Sequence, residues 1–260
     1  MMTDGTTVGV VLSRFDSTRL PGKAMAEIGG IPLLERVIRR MKQTRFLDGV
    51  ILATTTDESD DQLSDLGNAL QVQVCRGSVN DVLGRVVKAI GASPCDSVVV
   101  AYGDNPLIDP QMVEVLVSFL QREKLDYVWM PGLPLGADIG VFSFDALQIA
   151  DREATDPKDR EHLNAYITKH PAKFRFGRMT PPVTIGKPNL RLTVDTEEDL
   201  ELMRDVEREL CRRNTPLDLP EVVALANDMP ELFLVNADIQ QKFATDEWQK
   251  MRSGEVLPKK

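Results

Sequence analysis

Cysteine is scarce in this chain. Cys75, Cys95 and Cys211 are its three cysteines, they are widely spaced, and no C-x-x-C pair occurs. An odd and scattered set of this kind does not indicate a disulfide framework. We therefore expect reduced thiols and a cytoplasmic protein.

Long apolar runs and a secretion signal are also missing. No stretch approaches the ~20 apolar residues that a transmembrane helix needs. The first residues, MMTDGTTVGVVL, have no basic segment and carry Asp4 where a signal peptide would have a cation. Neither a membrane partner nor export is predicted.

Basic residues are in deficit. The chain has 31 Lys and Arg against 40 Asp and Glu, a formal net charge of −9. Such a balance argues against a nucleic-acid polymer or an anionic membrane surface as partner. A small anion held by a few local cations remains compatible with it.

The two commonest phosphate-binding motifs are absent. No G-x-G-x-x-G occurs, and Gly22-Lys23 is not preceded by the Walker spacing. A P-loop kinase and a dinucleotide-binding dehydrogenase are therefore disfavoured.

What the chain does have is an apolar strand followed at once by a cation-rich loop. Residues 8–12 predict a strand buried on both faces. The loop from Ser13 to Lys23 adds Arg14, Arg19 and the flexible Gly22, which together could surround a polyphosphate. The alternative is an exposed basic turn. The position directly behind a first buried strand, where open α/β sheets bind ligands, favours the phosphate site.

Strands and helices alternate through the first half of the chain. Further strands are predicted at 49–53, 72–75 and 97–102, each followed by an amphipathic helix. This rhythm predicts an α/β protein with a mainly parallel sheet and helices on both faces. In the helix after the third strand, Asp81 and Arg85 are assigned to the polar face.

The alternation of strands and helices stops after residue 126. Residues 127–180 are rich in Gly and Pro and are interpreted as a small inserted lobe with a helix at 157–170. A strand at 190–194 and a long helix from Thr196 then restore the pattern. We predict one domain over 1–215 and a C-terminal helical extension and tail over 216–260.

Two aspartates end predicted strands. Asp104 lies in G-D-N-P and Asp195 in V-D-T, so both should emerge at the sheet edge that carries the loop at 13–23. Carboxylates are ligands that Mg²⁺ prefers, and substrate phosphate and water can complete its shell. The alternative is that each aspartate caps the helix that follows.

The loop S-R-F-D-S-T-R-L-P-G-K resembles the nucleotide-binding signature of sugar nucleotidyltransferases that activate acidic sugars with CTP. Within the acylneuraminate and ketodeoxyoctonate cytidylyltransferases, it is most similar to the spore coat polysaccharide branch. The resemblance extends over about 8–210 and implies a Rossmann-like mixed sheet, Mg²⁺ on Asp104 and Asp195, and a homodimer by analogy. It also implies catalytic roles for Lys23, Arg14 and Asp104.

Base recognition is expected at loops after the second and third strands. The expected nucleotide-binding residues are Ser13, Arg14, Arg19, Gly22, Lys23, Ala53, Thr54, Arg76, Ser78, Asp81, Arg85 and Asp104. Asp81 and Arg85 could equally form an ordinary i,i+4 surface pair.

The acceptor side departs from the family pattern. D-R-E-H-L-N-A-Y-I stands where the branch has R-E-H-V-T-P-Y-I, and Gly140 stands where an acidic residue is usual. Substrate contacts are expected from Tyr102, Asn105, Asp138, Glu161 and His162.

The resulting prediction is a magnesium-dependent cytidylyltransferase that makes a CMP-sugar and pyrophosphate from CTP and an acidic sugar. One alternative is a nucleotidyltransferase with another NTP or a non-sugar acceptor. Another is a nucleotide-binding homologue without catalysis, against which Lys23, Asp104 and Asp195 argue.

Overall fold

Apolar runs form the strands that organise the chain. The computed structural model describes residues 5–91 and 95–241. Its strands are β1 (Thr7–Leu12), β2 (Glu27–Ile28), β3 (Ile31–Pro32), β4 (Gly49–Thr55), β5 (Gln73–Gly77), β6 (Ser97–Tyr102), β7 (Tyr127–Trp129), β8 (Gly140–Ser143) and β9 (Phe176–Arg178).

Amphipathic segments form the helices between these strands. They are α1 (Leu33–Lys42), α2 (Asp61–Ala69), α3 (Val82–Ile90), α4 (Pro110–Glu123), α5 (Phe144–Glu153), α6 (Pro157–Glu161), α7 (Ala165–Lys169), α8 (Glu197–Arg212) and α9 (Leu219–Asp228). Short 3-10 turns cover Lys23–Met25, Glu58–Asp60 and Pro230–Leu234. Among the described residues, no helix combines the length and apolarity that crossing a bilayer requires.

The main sheet has seven strands in the order β5-β4-β1-β6-β8-β7-β9. β1 pairs in parallel with β4 and β6, β4 with β5, and β7 with β9, whereas β8 is antiparallel to both of its neighbours. The predicted mixed, mainly parallel sheet is confirmed. β2 and β3 form a separate hairpin.

Two apolar cores cover the two faces of the sheet. Val11 points into the core that α1, α2, α4, α8 and α9 complete, and Val10 and Leu12 point into the core of α3, α5 and α7. This alternation follows from the two-residue period of a strand. The carboxyl ends of β1, β4 and β6 are therefore left at one edge, free for loops.

The segment at 127–180 is continuous with the sheet, since it contributes β7, β8 and β9. α9, in the C-terminal extension, packs on α8 within the first core. The boundaries proposed at 127–180 and 215 remain predictions. Most of the tail, 242–260, lies outside the described residues.

Three local predictions are wrong. The segment at 190–194 forms a single bridge, between Leu135 and Arg191, because its neighbouring backbone groups bond to loop residues instead of a strand. The helix predicted over 157–170 is interrupted where His162 is extended, which separates α6 from α7. Arg85 lies on the buried face of α3 with 5% exposure.

Gly136 allows the bridge at Arg191 to form. Its φ is +97°, and a Cβ there would lie 2.3 Å from the backbone nitrogen of Thr193. Thr193 is two residues from Asp195, so this close approach helps to place the end of that segment.

Gly136→Ala is expected to lower the free energy of unfolding by at least about 2 kcal/mol, because backbone strain and a backbone clash add. Urea denaturation measures it. Gly30→Ala is the matched control, since Gly30 also has positive φ (+76°) but open space around it. Equal losses in the two variants would mean that the close approach to Thr193 contributes nothing.

Candidate active site

The loop that follows β1 turns back toward the sheet edge. The backbone N–H of Gly22 donates to Phe15 O at 3.1 Å, and Gly22 adopts a positive φ of 73°. The 3-10 turn at Lys23–Met25 begins directly after it. This local geometry places Lys23 over the ends of the central strands.

The ammonium of Lys23 joins the two aspartates that end β6 and the 190–194 segment. Its Nζ lies 2.7 Å from Asp104 Oδ2 and 2.7 Å from Asp195 Oδ1. Arg19 Nη2 reaches the other oxygen of Asp195 at 2.9 Å. Lys23 therefore contacts both aspartates, Asp104 and Asp195, that the sequence analysis expected at the same edge of the sheet.

Burial and charge act in opposite directions on Lys23. Burial lowers the pKa of Lys23, but Asp104 and then Asp195 raise it, and the net pKa lies above its usual value. The side chain therefore stays a cation that is largely shielded from water. A shielded cation of this kind can stabilise negative charge on a bound phosphate.

Neither aspartate acts as a helix cap. The helix after Asp104 is capped by Asp109, which accepts from Gln111 N and Met112 N. The helix after Asp195 is capped by Thr196, which forms a capping box with Asp199. Both carboxylates are thus available to Lys23 and to ligands.

An ion pair lies behind Asp195. Arg191 binds Asp199 through two hydrogen bonds, at 2.8 and 2.7 Å, and also reaches Asp195 Oδ2 at 3.4 Å. Asp199 is fully buried. Burial raises the pKa of Asp199, but hydrogen bonds from Arg191, Asn236 and Asp195 outweigh it and leave the pKa below its usual value.

Comparisons with known proteins identify the family of the chain. A family model described as cytidylyltransferase matches residues 8–221, which is most of the chain. The chain belongs to the cytidylyltransferase family. The resemblance inferred from the loop at 13–23 is thereby confirmed, and the protein is an enzyme of the nucleotidyltransferase class.

Relatives of this cytidylyltransferase include a spore coat polysaccharide biosynthesis protein and an octulosonate cytidylyltransferase. It is 31% identical over 227 residues to the spore coat polysaccharide biosynthesis protein SpsF of Bacillus subtilis, covering 85% of this chain and 94% of that one. It is 28% identical over 185 residues to an 8-amino-3,8-dideoxy-manno-octulosonate cytidylyltransferase of Shewanella frigidimarina, with coverages of 68% and 70%. A solved cytidylyltransferase of Leptospira borgpetersenii superposes with a TM-score of 0.80 at 25% identity, covering 92% of this chain and 99% of that chain.

The residues of the cytidylyltransferase fit a divalent cation. Asp104 and Asp195 provide hard carboxylate oxygens that already converge on one positive charge, the Lys23 ammonium. Within 5–91 and 95–241, no group of three or more His, Cys, Asp or Glu side chains forms a metal site. A cation here would need phosphate and water as its remaining ligands.

One of the predicted base-binding residues, Thr54, bonds to a buried carboxylate, that of Asp60. Thr54 is fully buried and donates its hydroxyl to Asp60, and Ala53 is also buried. Arg76 instead pairs with Asp61 and donates to the carbonyl oxygens of Thr55 and Asp57.

Arg85 lies beneath this region with its Nε lacking a hydrogen-bond partner in the described chain. One bond, from Nη1 to Ser78 O at 3.3 Å, holds its guanidinium. The pKa of Arg85 lies below its usual value, because burial and the nearby charge of Arg14 lower it by more than the charge of Asp60 raises it. Arg14 itself is exposed, and it forms no ion pair with other described residues, so it can reach a ligand.

Asp81 is held away from Arg85 by a different partner. The guanidinium of Arg160, on α6, donates two hydrogen bonds to the Asp81 carboxylate, at 2.9 and 2.8 Å. It also donates to Asp151 on α5. Asp81 additionally caps α3 through Gly84 N. The contacts of Asp81 therefore connect helices, and the surface pair with Arg85 does not form.

The predicted acceptor residues divide into two groups. Tyr102 and Asp138 line a pocket that the aromatic side chains of β7 and β8 border; its other lining residues are Val100, Tyr127, Trp129, Met130, Pro131, Ile139, Gly140, Phe142 and Asn164. Asn105 is buried, and its backbone N–H donates to Tyr102 O at 3.0 Å. Glu161 is exposed, and His162 Nε2 lies 4.0 Å from it, so these two form a weak surface contact.

Tyr102 lies between the pocket and the aspartate pair. Burial of its hydroxyl, followed by the charges of Asp104 and Asp138, raises the pKa of Tyr102 to about 12, although 44% of the residue is exposed. The neutral phenol can donate a hydrogen bond to an acceptor at the pocket mouth.

Sequence reasoning missed the buried residues that support the site. Asp60 accepts from Phe15 N at 2.6 Å, Thr54 Oγ1 at 2.7 Å and Thr55 N at 2.8 Å, so it connects the loop at 13–23 to β4. Its sequence surroundings, D-E-S-D, look like a solvated turn. For Asp199, the T-x-x-D spacing of a capping box was a usable signal.

Asp60→Asn is expected to destabilise the fold by about 1–3 kcal/mol, because at least one of the three donors would face the amide NH₂. Burial raises the pKa of Asp60, but hydrogen bonds from Thr55, Phe15 and Thr54 lower it by more than burial raises it. The pKa of Asp60 in the folded protein is therefore below its usual value. The carboxylate therefore contributes stability above its unfolded pKa, and this is lost as pH falls through the folded pKa.

Urea denaturation at neutral and acidic pH checks this prediction. The difference in the free energy of unfolding between the parent and Asp60→Asn should become smaller at acidic pH. Asp57→Asn, at an exposed neighbour that caps the same 3-10 turn, is the control. A gap that is independent of pH would contradict a charged Asp60.

Proposed function

We propose that this cytidylyltransferase transfers CMP from CTP to a hydroxyl of an acidic sugar and releases pyrophosphate, for surface polysaccharide synthesis. The observation that carries the proposal is the contact of Lys23 with both Asp104 and Asp195, beside Arg19. The relatives in polysaccharide and octulosonate metabolism support the acceptor class.

The reaction forms a bond from the acceptor oxygen to the α-phosphorus and breaks the bond from that phosphorus to the bridging oxygen of pyrophosphate. The hydroxyl proton leaves to solvent. Such transfers depend on holding the reactants in line and on neutralising charge. In this proposal Lys23 meets the α-phosphate or the leaving group, while Arg14 and Arg19 hold the β- and γ-phosphates.

Mg²⁺ is the proposed cofactor, held by Asp104 and Asp195. When bound, it would neutralise negative charge between these carboxylates and the triphosphate. Asp195 also contacts Arg19 and Arg191, so its orientation is set before any ligand arrives. Asp104 is the more exposed of the two, at 28% of its side chain against 9%.

The pocket beside Tyr102 supports a second acceptor class. Among the described residues that line it there is one carboxylate, Asp138, and no Lys, Arg or His. A carboxylate-bearing sugar normally needs a cationic partner. A neutral or amino-substituted acceptor, stacked on aromatic side chains, is the alternative that this lining favours.

The test is pyrophosphate release by the purified chain with each NTP, with Mg²⁺ or EDTA, and with sugar acids, neutral sugars and amino sugars as acceptors. The proposal expects release with CTP, Mg²⁺ and a sugar acid. Release only with neutral or amino acceptors would select the second class. Absence of CTP binding by calorimetry would overturn the function itself.

Light scattering on the same preparation tests the homodimer that family analogy suggests. We also propose action in the cytoplasm, which the free state of Cys75, Cys95 and Cys211 supports.

A further inference from the structure

A buried polar cluster connects Asp195 to the C-terminal extension. Arg191, Asp195, Asp199 and Asn236 are each at most 7% exposed. Buried polar groups are costly unless they are hydrogen-bonded, so the bonds within this cluster determine its geometry.

Asn236 holds both members of the ion pair behind Asp195. Its Nδ2 donates to Asp199 Oδ1 at 2.8 Å and to the backbone oxygen of Arg191 at 3.2 Å. Gln241 adds a bond from the same segment, because its Oε1 accepts from Arg191 Nη1 at 2.6 Å. The segment after α9 therefore reaches the ion pair at two points.

Asp199 in turn fixes the position of Asp195. Its Oδ2 accepts from the backbone nitrogens of Asp195 at 2.9 Å and Thr196 at 3.1 Å. Arg191 Nη2 reaches the Asp195 side chain at 3.4 Å. A displacement of the Asp199 carboxylate would thus move both the backbone and the side chain of Asp195.

The extension that supplies Asn236 is itself anchored in the core. Phe233, three residues earlier in the 3-10 turn at Pro230–Leu234, is 8% exposed and packs in the first core. Asn236 lies beyond residue 221, where the match to the cytidylyltransferase model ends. The cluster therefore combines Asn236, from outside the matched span, with three residues from inside it, Arg191, Asp195 and Asp199.

We propose that Asn236 is a positioning residue: it fixes Asp199 and Arg191 so that Asp195 is held in the orientation that binds a divalent cation together with the nucleotide. This rests on the proposed function of Asp195. The C-terminal extension is then part of the catalytic site's support, and losing its contacts weakens the effect of metal on CTP binding more than it weakens CTP binding itself.

The experiment measures CTP affinity of the full chain by calorimetry, with and without Mg²⁺, for the parent, Asn236→Ala and Phe233→Leu. Phe233→Leu is the matched control, because it loosens the same 3-10 turn without removing a hydrogen bond. Mn²⁺ titration followed by electron paramagnetic resonance, with CTP present, reports the metal directly.

For Asn236→Ala we expect metal-free CTP affinity within about threefold of the parent and a metal-dependent gain reduced at least about fivefold. Phe233→Leu should lose about as much thermal stability as Asn236→Ala but should keep the metal-dependent gain in CTP affinity. If Asn236→Ala does not fold, Gln241→Ala replaces it, since Gln241 is only half-buried and its loss removes one contact to Arg191.

An unchanged metal-dependent gain in the tested variant, whatever its unfolding temperature, would overturn the positioning role. A parent chain whose CTP affinity does not respond to Mg²⁺ would instead reject the metal role proposed for Asp195. The two failures are therefore distinguishable.

Discussion

Replacing Lys23 by alanine is expected to lower nucleotidyl transfer by about 10²–10³-fold, the cost of removing one preorganised charge-stabilising donor. Its Nζ contacts both Asp104 and Asp195 at 2.7 Å, and only 12% of its side chain is exposed. Without the ammonium, two carboxylates face the site with less compensation and should repel a triphosphate. CTP affinity should therefore fall as well.

The fold should tolerate the loss of Lys23, because Asp195 keeps Arg19 and Arg191 as partners. Steady-state pyrophosphate release gives kcat and KM, and calorimetry gives the affinity for CTP. Lys42→Ala is the matched control, since Lys42 is exposed at the end of α1 and donates to Leu70 O. Turnover and CTP affinity close to the parental values would show that the loop at 13–23 is not the phosphate site.

Replacing Asp104 by asparagine is expected to abolish most of the Mg²⁺ dependence of CTP binding, reducing the metal-dependent gain by about tenfold or more. The amide keeps the shape of the side chain but loses the charge that a divalent cation needs beside a triphosphate. Because 28% of the Asp104 side chain is exposed, the amide should be accommodated without unfolding.

CTP affinity is measured with and without Mg²⁺ in the parent, in Asp104→Asn and in Asp205→Asn. Asp205→Asn is the control because it changes the net charge equally, and among the residues that the structure describes Asp205 pairs with Arg208, one turn away on α8. Mg²⁺ dependence that survives unchanged in Asp104→Asn would assign the metal, if one binds, to other residues.

The apolar patterns of the sequence were sufficient to predict the central sheet. The predicted strand at 97–102 is β6, Ser97–Tyr102, and the strand predicted at 49–53 extends two residues further as β4. The start of a helix was predictable too, since Thr196, where the long helix is predicted to begin, caps α8. These features depend on neighbours within a few residues, which a pattern can report.

Predictions about side-chain partners were less successful. Arg85 was placed on a polar face but is buried, because α3 packs against the sheet on the side that carries it. Asp81 was considered as a partner of Arg85, four residues away, yet it binds Arg160, 79 residues away. No helical spacing can indicate a partner on another helix.

Asp195 reaches the edge that carries Lys23 without a strand before it, because residues 190–194 form a single bridge. The sequence by itself determined that Lys23 and Asp104 lie at that edge, because each follows a strand and parallel strands in one sheet present their carboxyl ends on the same side. It did not determine that they touch. Only the tertiary structure decided that Lys23 bridges carboxylates 81 and 172 residues away, and that Asn236 supports Asp195 through Asp199. Direct contacts depend on how loops and the C-terminal extension pack around the buried ion pair, and that packing has no periodic signature in the chain.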